Sequence, residues 1–183
     1  MLENVQLTDQ LSEFETSSFG GHVFRCTFPK GDPLRFSIHG GRWAIPASDT
    51  HNGIPVLYTS LEKEGAISEL AAWWTQQTPV PQIKMLVSEI KITASKVISL
   101  NKDDLAKLGV NMNNYSERNY NVTSKIGEAV NFMEYDAMIT PSARWPCNNL
   151  TVFDRNHCMD ETLEIISSEE FDWHEWAKRN AVE

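Results

Sequence analysis

Between Arg25 and Glu69 the chain reads strand, glycine loop, strand, helix, and this order limits its possible folds more than any other stretch. Residues 22–28, with Val23-Phe24-Arg25-Cys26 at their centre, alternate loosely as a strand. The Pro- and Gly-rich passage 29–46 is a loop long enough to carry function rather than merely connect. Within it Gly40 and Gly41 free the backbone to turn tightly, and Arg42 presents a planar cation suited to gripping phosphate oxygens in pairs. Ile54-Pro55-Val56-Leu57 is a short apolar strand closed by Tyr58, and residues 61–77 form a helix stopped by Pro79 and Pro81, with Glu69 inside it. An aromatic face and a carboxylate are therefore expected to flank one cleft with room for a sugar, which is a nucleotide-holding arrangement.

Val5, Leu7, Leu11 and Phe14 at near-helical spacing predict a short helix or arm at the start. Past the second proline, residues 85–92 and 97–100 predict two strands, and Asn101 caps a helix ending at Gly109. Residues 111–121 hold five Asn, Arg118 and two Tyr, the make-up of a polar surface loop or lid. A helix with Ile126, Val130 and Met133 on its apolar face spans 122–133, followed by strands at 135–140 and 150–153. A last strand over 162–166 precedes a closing helix with Trp173, Trp176 and Ala177 on one face. Without repeats, this pattern predicts one α+β domain over residues 1–183, its sheet mixed or mostly antiparallel and flanked by helices.

Sixteen basic against 25 acidic residues give a net charge of −9, and no Lys/Arg run exceeds a pair, so nucleic acid is not expected as a direct partner. Cys26, Cys147 and Cys158 are too few and too irregular for a disulfide framework or a four-cysteine zinc site; they read as reduced, buried thiols. The first 18 residues carry four acidic side chains and no apolar run, so neither a cleavable secretory signal nor a membrane span is expected, and a cytoplasmic location is. His22, His39, His51, His157 and His174 are scattered and form no metal-type i+3 or i+4 pair with one another, and no metal is expected. Neither a GxGxxG nor a Walker loop occurs, which disfavours a Rossmann dehydrogenase or a P-loop enzyme.

Five pieces follow one another in order: Val23-Phe24-Arg25; Gly40-Gly41-Arg42-Trp43; Val56-Leu57-Tyr58-Thr59-Ser60; Ala66 with Ser68-Glu69; and Ile139-Thr140-Pro141-Ser142-Ala143 with Asn148-Asn149-Leu150. Together they resemble the RES-domain family, named for an arginine, a glutamate and a serine, whose members are mostly bacterial toxins paired with Xre-type antitoxins. The motif core covers residues 22–154, leaving an N-terminal helix or arm (1–20) and a C-terminal strand and helix (160–183) outside it. The resemblance implies an ADP-ribosyltransferase-like fold, NAD as substrate with no metal, cleavage of the nicotinamide–ribose bond, and an Xre-type antitoxin as partner. It assigns Glu69 to stabilising the ribosyl cation, Arg25 and Arg42 to the pyrophosphate or ribose side, Tyr58 to the nicotinamide, and Ser142 to orienting a hydroxyl or amide. Ala44 departs from the asparagine that many members carry after the aromatic residue of the turn.

Taken alone these residues have plainer roles. Glu69 is then an exposed helix glutamate, Tyr58 a packed strand aromatic, and Ser142 a turn residue after proline. Arg25, in an apolar strand, needs a ligand, a carboxylate or water for its charge. Arg35 lacks the flanking glycines of Arg42 and reads as solvated surface. Ser124 and Asn121 compete with Ser142 as the polar group of the cleft, and no nearby His exists to make either serine a nucleophile. The ribosyl acceptor is open: water makes a glycohydrolase, phosphate a phosphorylase, and a protein side chain an ADP-ribosyltransferase. A module that binds a nucleotide or partner without turnover is the reading from another class.

Overall fold

The computed structural model describes residues 2–49 and 51–180, and the side chains among them from Gln6 onward. Helix α1 (Leu2–Ser12) leads into strand β1 (Thr16–Thr27); β2 (Val56–Ser60), α2 (Lys63–Trp74), β3 (Met85–Ser99) and α3 (Lys102–Lys107) follow. A short 3-10 turn (Met112–Asn114) precedes α4 (Asn121–Phe132), β4 (Ala137–Pro141), β5 (Asn148–Phe153), β6 (Leu163–Phe171) and α5 (Trp173–Arg179). The fold is α+β. Its six-stranded sheet has the order β1-β2-β5-β4-β3-β6 and is antiparallel except for the parallel pair β3 and β4. Because β1 also pairs with β3, the first five strands close on themselves and β6 hangs on β3 as an edge.

Strand β3 corrects the expectation of two strands at 85–92 and 97–100. Thr93-Ala94-Ser95-Lys96 breaks the apolar run, yet Thr93 and Ala94 stay paired with Gly20 and Phe19, and a register shift in β1 between Ser17 and Phe19 absorbs the irregularity. The long partner also draws β1 back to Thr16, so the N-terminal segment ends as a helix at Ser12 rather than running to residue 20. On the far side, β6 extends to Phe171, well past the expected strand at 162–166, because Met85, Leu86 and Val87 pair with its end. Helix boundaries follow local chemistry. Asn101 accepts from the backbone N–H groups of Asp103 and Asp104 while Asp104 returns a bond to the Asn101 N–H, a capping box, and Gly109 takes the left-handed conformation (φ 88°) after the helix.

Three apolar clusters fill the molecule. Leu11, Ile126, Ala129 and Val130 join α1 to α4 over Ile98, Met138 and Phe153. Val23, Leu57, Ile90, Ile92, Val97, Leu150 and Val152 fill the space between the closed strands. Ile67, Ala71 and Trp74 of α2 meet Met85 and Val87 of β3 and Trp173 and Ala177 of α5. Trp176, expected on the same face, is half-buried, packs against this cluster and also meets Trp145, with ring centroids 5.5 Å apart. Of the three thiols, all free, Cys158 is exposed rather than buried, whereas burial pushes the Cys26 thiol up to about 12 and keeps it protonated.

One contact in this frame fixes the glycine turn. A Cβ built on Gly127 of α4 would stand 1.8 Å from the Trp43 carbonyl oxygen. The helix therefore packs directly on the turn's backbone, and Trp43 and Ala44 are buried beneath it. Gly127→Ala is expected to destabilise the protein by about 1–3 kcal/mol through overpacking, despite alanine's better helix propensity. Chemical denaturation checks this, and a midpoint equal to or above that of the parent would show that the turn does not rest on α4.

Candidate functional site

A cavity of about 910 Å³ opens between the loop after β1, the ends of β2 and β5, and one face of α2. Large as ligand pockets go, it gathers residues from across the chain. Lys30, Arg25, Arg35, Arg42, Arg118 and Arg144 line it, against two carboxylates among the described residues, Asp32 and Glu69. Five of the chain's seven arginines thus converge on one cavity of a protein whose net charge is −9. Field focusing in such a cleft favours an anionic ligand.

Glu69 sits on the cavity face of α2 and is held there. Its Oε1 accepts hydrogen bonds from the Ser142 hydroxyl at 2.8 Å and from the Asn149 side-chain amide at 3.1 Å. Ser142 is itself locked, since its Oγ accepts from the Arg144 and Trp145 N–H groups at 3.1 and 3.2 Å. Buried at the end of β4, Ser142 does not line the cavity; its hydroxyl faces the carboxylate. In this geometry the Ser142 hydroxyl is engaged by Glu69. Asn149 was missed as a site residue at the sequence level although it lies in a quoted motif. The signal was its place in β5, paired with Ser60 of β2 and Thr140 of β4, a register that no local pattern reveals. The alternatives fall away from the cavity: Ser124 donates to the Tyr120 carbonyl within the first turn of α4, and Asn121 does not line the site.

Tyr58 lines the cavity from β2, and its hydroxyl accepts the Trp43 N–H at 3.2 Å. Burial raises its pKa, so it stays neutral. Gly41 (φ 156°) makes that contact possible, because a Cβ there would lie 2.7 Å from the Tyr58 oxygen. Backbone bonds between Gly41 and Ala44, the shorter at 3.0 Å, close the turn. Ala44 is fully buried, so the turn holds without a side-chain amide at this position.

Arg25 reaches the cavity from β1 and donates to the Pro33 carbonyl at 3.1 Å. Burial pushes its pKa down to about 10, partly offset by Asp32, and it remains a cation at neutral pH. Arg42 lies against two aromatic rings, its guanidinium carbon 4.6 Å from the Tyr115 ring centre and 4.9 Å from that of Tyr120. One nitrogen donates weakly to the Glu117 carbonyl at 3.4 Å. The residue 111–121 loop thus clamps the arginine, and Tyr115, whose hydroxyl donates to the Pro141 carbonyl at 2.7 Å, ties that clamp to the strand end carrying Ser142. The polar make-up of the loop does not by itself reveal this contact. Arg35, expected as plain surface, is exposed yet lines the cavity, because the loop after β1 folds back over it.

Away from the cavity, Asp136, Cys158 and Glu161 bring one ligand-type atom each within 4.8 Å of one another. The Lys96 N–H engages Asp136, and the Ser95 and Cys158 N–H groups engage Glu161. Among the described residues no helix is long and apolar enough to cross a membrane.

The RES-domain family model matches residues 22–174. No curated protein matches the chain. A chain in the crystal structure of the M. tuberculosis MbcT-MbcA toxin–antitoxin complex has a similar fold, with a TM-score of 0.75 and 14% identity, covering 96% of this chain and 97% of that one.

Proposed function

The chain belongs to the RES-domain family, and from that premise we propose that it is a toxin that cleaves NAD at the bond between nicotinamide and ribose and is restrained by an antitoxin protein. The observation that carries this reading is the cation-rich cavity in which one of the two lining carboxylates, Glu69, is held by two side-chain donors. A diphosphate fits the arginines, and the one fixed carboxylate suits a ribosyl cation. Nicotinamide is cationic while attached and neutral once it leaves, so its departure requires no general acid. Positioning and electrostatic stabilisation are then sufficient.

In this scheme Ser142 and Asn149 occupy Glu69 Oε1 and fix the carboxylate plane, so that the other oxygen faces the anomeric carbon as positive charge develops there. Tyr58 offers a neutral aromatic face to the nicotinamide, and Arg25 and Arg42 take the diphosphate and its ribose. Water as acceptor yields ADP-ribose, nicotinamide and a proton; phosphate yields ADP-ribose phosphate. Loss of NAD would harm the host cell, so the reading places the action in the cytoplasm and calls for an inhibitor. An Xre-type antitoxin that covers the cavity mouth supplies it, and the fold's likeness to a chain from a toxin–antitoxin complex supports such a partner.

The experiment is to incubate purified protein with NAD, with and without inorganic phosphate, and identify the products. Nicotinamide release is expected, with ADP-ribose in one arm or its phosphate in the other. NAD that stays intact in both arms during long incubation overturns the catalytic reading and leaves a binding module; release that requires an added protein acceptor turns it into an ADP-ribosyltransferase.

A further inference from the structure

Phe28 and Trp73 are 46% and 41% exposed, yet both line the cavity. Their rings meet edge to face, with centroids 6.3 Å apart and planes at 89°, and Phe28 also rests on the buried Trp74 ring at 5.2 Å. The pair is thus held from behind while staying open to water in front. Trp73 lies four residues after Glu69 on α2, hence on the same helix face, and Phe28 follows three residues after Arg25. Lys30 and Arg35, which follow Phe28 in the same loop, line the same cavity. Large aromatic surface left wet next to cations matches a flat heterocycle joined to phosphate, since base stacking on aromatic side chains is tolerant of base identity and strong.

We propose that Phe28 and Trp73 seat the purine base of the dinucleotide, making this end of the cavity an AMP subsite distinct from the end that holds the reacting bond. The inference rests on the NAD reading and adds the origin of specificity: the protein distinguishes the dinucleotide from a mononucleotide carrying the same scissile bond. A side chain of the antitoxin is the competing occupant.

The test compares NAD with nicotinamide mononucleotide, which has the same bond but no AMP half. The parent is expected to prefer NAD, and in Trp73→Ala and in the milder Phe28→Leu the ratio of kcat/KM for NAD to that for the mononucleotide should fall roughly tenfold. An equal fall for both substrates, or an unchanged ratio, overturns the subsite. Titration with AMP, followed by tryptophan fluorescence, gives a readout independent of cleavage: saturable quenching in the parent and its weakening in both variants support the seat, and absence of AMP binding in the parent overturns it. If neither substrate is cleaved while AMP binds, the NAD-cleavage reading fails and the nucleotide seat stands.

Discussion

Glu69→Gln is expected to lower nicotinamide release from NAD by about a hundredfold or more, the usual cost of removing one electrostatic stabiliser from a reacting centre. The substitution isolates charge. Glutamine has nearly the same volume, and its amide oxygen can still accept from Ser142 and Asn149, so the contacts that fix the side chain persist. Stability and NAD binding should change little, which a thermal melt and a binding titration check beside the turnover assay. Growth of cells expressing the variant without its antitoxin should recover for the same reason. Full activity would move the role to another carboxylate, and among the described residues Asp32 is the only other one lining the cavity.

Arg42→Ala should raise the KM for NAD by roughly ten- to a hundredfold, since a charge-assisted hydrogen bond contributes about 1.5–3 kcal/mol. Tyr115 and Tyr120 both lie within cation–π distance of the guanidinium and hold it in place at the cavity wall, and its planar fork suits paired phosphate oxygens. Arg42→Lys should recover little, because an ammonium keeps the charge and loses the planar fork. Arg35→Ala should cost no more than a few-fold. Although Arg35 lines the cavity, it is exposed, and an exposed charge contributes about 0–1 kcal/mol after screening. A larger defect in Arg35→Ala than in Arg42→Ala would remove the Gly-Gly-Arg-Trp turn from phosphate binding and shift the diphosphate toward the mouth.

The contrast between these two arginines shows how far a chain can be read before it is folded. Alternation, proline stops, the Asn101 cap and Gly109 act over a few residues, so they set the order of elements, the α+β class and the placement of Glu69 on a helix behind Tyr58. The ordered motifs likewise identified the family. What a side chain faces depends on contacts far along the chain. Ser142 and Glu69 are 73 residues apart and Asn149 and Glu69 are 80, and they meet only because β5 pairs with both β2 and β4 while α2 follows directly after β2. Arg42 finds Tyr115 and Tyr120 through the packing of α4 on the glycine turn, and β3 remains one strand because β1 pairs with it through the polar interruption. Local chemistry therefore determined which elements form, while sheet register and close packing decided which residues share the cavity.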